Sequence, residues 1–267
     1  MKKIYRILVT NDDGYEAKGL LNLVEALKEI EDVRVTVVAP ASEKSACGHS
    51  LTIIRPLRFV GICDDFFKLD DGTPSDCVYL ALSTMFVDQK PDLLISGINR
   101  GSNMGEDITY SGTAAGAMEG VLHGIPSIAI SQVMDFTDPE GDFTLARKSI
   151  KKLVLKIKDG SFPLPEREFL NVNIPPDLDS TDNKYAKMKI TYAGYRLYAN
   201  DSHLHRNPRG EEYYWLGTHP LNFSARNGVE GISDYEAIRE GNISITPIKL
   251  DMSAYKSMQK LKEWIED

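Results

Sequence analysis

Between residues 4 and 158 the chain switches repeatedly between two hydrophobic patterns, and this alternation is its strongest constraint on fold. Ile4 to Thr10 is β-branched and apolar and stops at Asn11-Asp12-Asp13-Gly14. Lys18 to Ile30 follows, with Leu20, Leu21, Leu23, Val24 and Leu27 at helical spacing. Val33 to Ala39 is a second strand-like run, closed by Pro40. Thr73-Pro74-Ser75-Asp76 has the form of a helix start, with Thr73 as N-cap and Pro74 in the first turn, and predicts a helix to about Val87. Then come a strand over Asp92 to Ile98, an Ala- and Gly-rich helix over Ala114 to Leu122, a strand over Ser127 to Val133 and a helix over Phe143 to Lys158. Strands that are apolar along their whole length need cover on both faces. Alternating with helices, they predict a doubly wound, mostly parallel α/β sheet.

The second half changes character. Asn171 to Pro176 closes a strand, and residues 177–187 are polar and read as a loop. Lys189 to Tyr198 and Glu211 to Gly217 are short, aromatic-rich strand candidates with a hairpin pattern, separated by the polar stretch His203 to Arg209. Asp234 to Glu240 reads as a short helix, Asn242 to Pro247 as a strand, and Met252 to Ile265 as a terminal amphipathic helix. At about 150 residues per domain, 267 residues make one large domain with an appendage. The expected division is a core over 1–175 and a hairpin and C-terminal segment over 176–267. Projecting hairpins and late strands often mediate contacts between subunits.

Charge narrows the partners. Lys plus Arg number 31 against 39 Asp plus Glu, for a net charge of −8. Proteins that grip phosphate backbones carry a basic excess, so stable nucleic-acid or anionic-membrane binding is not expected. A small anionic substrate would need a local offset, which a bound cation supplies. The three cysteines, Cys47, Cys63 and Cys77, form no CxxC pair. They argue against a disulfide framework or a zinc ribbon and for a reducing compartment. Arg6 interrupts the N-terminal apolar run, which lacks the form of a secretory leader, so the expected location is the cytoplasm.

Three loops that follow strands carry groups suited to chemistry. Asn11-Asp12-Asp13-Gly14 follows the first strand, where ligands of open parallel sheets bind. Adjacent carboxylates repel, and a hard divalent cation relieves that repulsion. An ordinary turn accounts for the tetrapeptide equally well. The loop after the second strand, from Ala39 to Ser50, offers Ser42, Ser45, Lys44 and His49, although by composition it could simply be solvated. Ser96-Gly97-Ile98-Asn99-Arg100-Gly101 with Asn103-Met104-Gly105 follows the strand from Asp92. There glycine permits close backbone approach and asparagine offers neutral oxygen. Ser111-Gly112-Thr113 opens the next helix, whose N–H groups suit an anion, or simply caps it. Together these loops suggest a metal-assisted phosphate site. There is no GxxxxGK[ST] loop, no GxGxxG after the first strand and no GxSxG elbow, and Asp12 and Asp13 are adjacent where a DxD nucleophile motif would separate them. His203 and His205 form an HxH pair best read as part of a solvated loop, and Lys256, Lys260 and Lys262 as a solvated helix face.

These motifs, in order and over residues 4 to about 250, resemble the survival protein SurE family of 5'-nucleotidases. The resemblance is carried by Ile7 to Gly14, Ala39-Pro40 with Glu43 to Ala46, Gly72 to Val78, and Ser96 to Gly101 with Asn103 to Gly105. Ser111 to Thr113, Asp234-Tyr235 and Arg239 to Gly241 with Ser244 to Pro247 extend it. It implies a Rossmann-like fold with a projecting hairpin and a C-terminal oligomerisation segment exchanged in a homodimer or homotetramer. It also implies one divalent cation per subunit, magnesium or manganese, on Asp12, Asp13, Ser45 and Asn99. Asp12, Asp13 and Asn99 are the implied catalytic residues, and Asn11, His49, Asn103, Ser111, Gly112 and Thr113 the implied phosphate or substrate contacts. His49 stands where relatives often carry Asn. The implied activity is hydrolysis of nucleoside monophosphates. The rival expectations are a broad acid phosphatase or short-chain exopolyphosphatase, and a non-catalytic nucleotide-binding module.

Overall fold

A computed structural model describes residues 4–134, 141–176, 186–198, 201–217, 220–226 and 228–266. The first half follows the expected alternation: β1 (Tyr5–Thr10), α1 (Lys18–Lys28), β2 (Val33–Pro40), β3 (Arg58–Cys63), β4 (Phe66–Asp70) and α2 (Pro74–Thr84). It continues through β5 (Leu93–Arg100), a 3-10 turn (Gly105–Thr109), α3 (Gly112–Leu122), β6 (Ser127–Gln132), α4 (Thr144–Asp159) and β7 (Glu168–Ile174). Then come β8 (Met188–Tyr192), β9 (Tyr195–Tyr198), β10 (Asp201–Arg206), β11 (Glu212–Gly217), β12 (Pro220–Ser224) and β13 (Ile232–Ser233). The chain closes with α5 (Asp234–Arg239), β14 (Ile243–Lys249) and α6 (Tyr255–Glu266).

One ten-stranded sheet runs β13-β8-β14-β7-β6-β5-β1-β2-β4-β3. From β4 to β7 all neighbours are parallel, so the sheet is mostly parallel and the α/β expectation holds. Strand alternation decides which helix covers which residue. Ile7 and Val9 of β1 pack in one buried cluster with Leu20, Leu23 and Leu27 of α1 and Ile150, Leu153 and Val154 of α4. Leu8 between them packs in another, with Cys77, Val78 and Ala81 of α2. Burying each such Leu or Ile contributes about 1.5–3 kcal/mol. The start of α2 is capped as its sequence predicts: Asp76 N–H donates to Thr73 Oγ1 (3.1 Å), and Thr73 N–H donates to Asp76 Oδ2 (2.9 Å).

Strand order reverses at β1. From β1 the chain moves out to β2, β3 and β4, then returns to β5 on the other side and continues to β6 and β7. The loops after β1 and β5 therefore part in opposite directions and leave a crevice between them, where such sheets bind ligands.

Three expectations are corrected, and one pair of strands was not expected at all. The β3–β4 hairpin was not foreseen; its two strands are short runs, Arg58–Cys63 and Phe66–Asp70, in which apolar residues do not alternate regularly. Lys189 to Tyr198 is two strands rather than one. β8 joins the main sheet beside β14, while β9 pairs with β12. The partner of Glu212–Gly217 is β10, with His203 opposite Trp215 and His205 opposite Tyr213. The HxH pair thus lies on a strand, not in a loop; the exposed ribbon has no buried face to imprint a period on its sequence. The loop expected over 177–187 falls, for 177–185, outside the described residues. Among the described residues no helix is long and apolar enough to cross a membrane.

Candidate functional site

Asp12 and Asp13 occupy the crevice. Asn11 Nδ2 donates to Gly14 O (2.8 Å), closing a turn that Gly14 completes at φ +102. Three other segments then lock onto the two carboxylate residues. Lys44 N–H donates to the Asp12 carbonyl (2.7 Å), seating the loop after β2. Arg100 N–H donates to Asp13 Oδ2 (3.0 Å), seating the end of β5. Thr113 donates twice to Asp12, from N–H to Oδ2 (3.0 Å) and from Oγ1 to Oδ1 (2.5 Å), seating the start of α3. A Cβ on Gly112 would lie 2.8 Å from Asp12 Cβ and 2.9 Å from both Asp12 Oδ2 and Cys47 Sγ, so only glycine lets the helix come this close.

Burial pushes both carboxyls up from the ordinary range. For Asp12 the hydrogen bonds from Thr113 oppose the rise and Glu43 adds to it. Asp13 is pushed up to about 6, mainly by burial; the Arg100 N–H bond opposes this, and Asp12 and Glu43 reinforce it. Beside Asp13 opens a cleft of about 360 Å³ lined by Ser45, Glu43, Arg100, Lys18 and Phe143, among others. Ser45 Oγ donates to Glu43 Oε1 (2.8 Å) at its rim. Asn99 Nδ2 donates to Gly101 O (2.9 Å), which leaves the amide oxygen as its free ligand atom.

The donor set fits a hard divalent cation: two carboxylates, a hydroxyl and an amide oxygen, with buried Asp12 and half-buried Asp13 in want of positive charge. Buried Asn11 Oδ1, without a partner, adds another oxygen. Among the described residues no group of three or more His, Cys, Asp or Glu gathers to hold a metal, so a nitrogen- or sulfur-rich centre is not formed there.

The remaining expected residues divide. Ser111 caps α3, its Oγ accepting Ala114 N–H (2.9 Å). Thr113 faces Asp12. His49 turns away from this cluster along α3, where its Nε2 meets Glu119 Oε2 (2.8 Å); His123 meets the other oxygen (3.0 Å). Asn103 is buried and spends its amide on Ser131 Oγ (2.8 Å). Glu43 and Arg100 lay within the sequence motifs but were given no role there, and Lys18 and Phe143 stood only at helix starts; all four reach the cleft from separate segments.

Known proteins resemble this chain along most of its length. The family model described as Survival protein SurE matches residues 7–200. The chain belongs to the SurE family. It is 84% identical to "5'-nucleotidase SurE" of Sulfurimonas denitrificans, over 98% of this chain and 99% of that one. It is 59% identical to the protein of the same name from Helicobacter hepaticus, again over 98% and 99%. The crystal structure of the SurE protein from Aquifex aeolicus superposes with a TM-score of 0.79 at 41% identity, covering 98% of this chain and 100% of that one. The α/β architecture described above is thus shared with a solved SurE structure.

Proposed function

We propose that this chain is a metal-dependent 5'-nucleotidase that hydrolyses nucleoside 5'-monophosphates to nucleoside and phosphate. The observation that carries it is the Asp12–Asp13 pair at the strand-order reversal, with buried Asp12 clamped by Thr113 and half-buried Asp13 lining an open cleft. The names of the SurE relatives support the same activity.

Asp12, Asp13, Ser45 and Asn99 would hold the cation, with magnesium and manganese suiting their oxygen atoms. When bound, a divalent ion supplies Lewis acidity toward the phosphoryl group and lowers the pKa of water. The protein's own groups have separable tasks. Both oxygens of Asp12 are engaged by Thr113, so Asp12 acts as a fixed negative post. Asp13 lines the cleft, so it is the carboxylate placed to orient an attacking water or take its proton. The Ser111 hydroxyl, which accepts Ala114 N–H at the start of α3, has its own proton to offer a phosphoryl oxygen, while the Thr113 N–H is already spent on Asp12. Binding alone would gain nothing from two negative charges beside a phosphate site.

The chain also associates as a homodimer or homotetramer in this proposal. No residue of α6 is buried, and Met258, Trp264 and Ile265 lie 60%, 73% and 69% exposed. Large apolar surface of this kind marks an interaction site. Three free thiols support a reducing, cytoplasmic setting.

Phosphate release from nucleoside 5'- and 3'-monophosphates, polyphosphate and p-nitrophenyl phosphate, with Mg²⁺, Mn²⁺ or chelator, tests the proposal. Metal-dependent preference for 5'-monophosphates supports it. Preference for polyphosphate or the aryl ester moves the substrate class, and tight nucleotide binding without release would overturn the enzyme reading.

A further inference from the structure

The segment from Gly101 to Tyr110 joins Asn99 at one side of the site to Ser111–Thr113 at the other. Its middle makes little ladder of its own and is held by side chains from distant elements. Asn173 of β7 forms a two-way bond with Asn103: Oδ1 accepts Asn103 N–H (2.9 Å) and Nδ2 donates to Asn103 O (3.0 Å). Asn171, two residues earlier on the same face of β7, donates to the same carbonyl (2.8 Å). Two residues on, the C-terminal segment takes over. Asp234, fully buried at the start of α5, accepts Gly105 N–H on Oδ2 (2.7 Å). Its Oδ1 accepts the N–H of Gly194 (3.0 Å), between β8 and β9, and its own neighbour's, Tyr235 (2.9 Å). Tyr235 Oη donates to Met104 O (3.1 Å). The fit is close: a Cβ on Gly105 would lie 2.7 Å from both Gly194 O and the Tyr235 ring.

We propose that Asp234 is a positioning residue of the Asp12–Asp13 site: by gripping Gly105 it sets the segment that carries Asn99 and the start of α3. Three N–H donors from three separate places fix the carboxylate, and a buried carboxylate so satisfied resists displacement. The bond geometry at Gly105 therefore passes along six residues to Asn99 on one side and six to Ser111 on the other, through backbone with no slack at Asn103. This rests on the metal-dependent reading of the site. Asp234 touches neither substrate nor the expected ligands, so its effect travels through the segment.

The test is calorimetric titration of Mn²⁺ into the metal-free full-length protein, together with kcat and KM for a nucleoside 5'-monophosphate. Asp234→Asn replaces one acceptor oxygen with a donor that confronts an N–H group. It is compared with Leu153→Ala, a buried α4 change remote from the segment that lowers stability alone. The expected result is a tenfold or greater weakening of Mn²⁺ binding and a matching fall in kcat in Asp234→Asn, with neither in Leu153→Ala. If Asp234→Asn does not fold, Tyr235→Phe, which removes only the bond to Met104, decides; a two- to fivefold weakening of Mn²⁺ binding is expected. Unchanged Mn²⁺ binding in the folded variant, or equal losses in Leu153→Ala, overturns the proposal. A wild-type protein that binds Mn²⁺ yet releases no phosphate counts against the proposed activity instead, and the titration still judges Asp234.

Discussion

Thr113 holds Asp12 by both carboxylate oxygens, one from its backbone N–H and one from its hydroxyl. The anion seated at the start of α3 is thus the protein's own carboxylate. The helix dipole and these two bonds offset part of the cost of burying that charge. The same clamp leaves Asp13 as the carboxylate with an oxygen toward the cleft.

Thr113→Val keeps the shape and the N–H bond but removes the hydroxyl. A hydrogen bond to a charged group is worth about 1.5–3 kcal/mol. Mn²⁺ affinity and phosphate release are expected to fall about ten- to a hundredfold, with the fold retained by circular dichroism. Wild-type values in this variant would show that the clamp does not support the site.

Metal-free protein should lose stability as pH rises through the acid range. The folded-state pKa of Asp13 is raised from 3.8 to about 6, so the folded state binds its proton more tightly than the unfolded chain. Stability conferred by protonation is full below about pH 4 and is lost as pH climbs to about 6. At roughly 1.4 kcal/mol per unit the loss is about 3 kcal/mol at most, reduced by the solvent that reaches Asp13. Urea unfolding in chelator at several pH values measures it. Asp13→Asn should flatten this slope, unfold at higher urea near pH 7, and release almost no phosphate.

Gly112→Ala would press a methyl carbon within 3 Å of Asp12 Cβ, Asp12 Oδ2 and Cys47 Sγ. Contacts this short force displacement. The backbone of Gly112 is helical, so alanine is locally tolerated and the harm falls on Asp12. At least a tenfold loss of phosphate release with a small change in melting temperature is expected. A large melting change with activity intact would place the strain elsewhere.

His49→Ala should alter kcat less than threefold. The ring is spent on buried Glu119, 4% exposed, which also serves His123. Removing it leaves one oxygen of a buried carboxylate short of a partner, a cost of about 1–3 kcal/mol. A lower melting temperature with near-normal kinetics is the expected pair of results. A large rise in KM instead would return His49 to the phosphate site.

Deletion of residues 252–267 should leave the sheet intact, since no side chain of α6 is buried within the chain. Light scattering should show a smaller oligomer than the full chain. Unchanged mass would remove α6 from the subunit interface.

Local patterning made much of this protein legible. The apolar runs of β1, β2, β5 and β6 and the capping box of Thr73 and Asp76 follow from burial and from hydrogen bonds a few residues apart, and both leave a mark in sequence. The Asp12–Asp13 pair was visible because adjacent carboxylates are costly wherever they occur. β10 was missed because an exposed strand needs no apolar period, and the β3–β4 hairpin because its short apolar runs show no regular alternation. His49 could be placed in a loop beside the site, but its direction depends on Glu119, 70 residues away.

Sequence alone therefore determined the parallel α/β architecture and singled out the candidate oxygen-bearing residues, since each is marked by interactions of short range along the chain. Tertiary structure decided which donors meet which acceptors. Thr113 reaches Asp12 across 101 positions, and Asp234 reaches Gly105 across 129. The meeting of such groups depends on strand order and helix placement, and no spacing in the sequence encodes it.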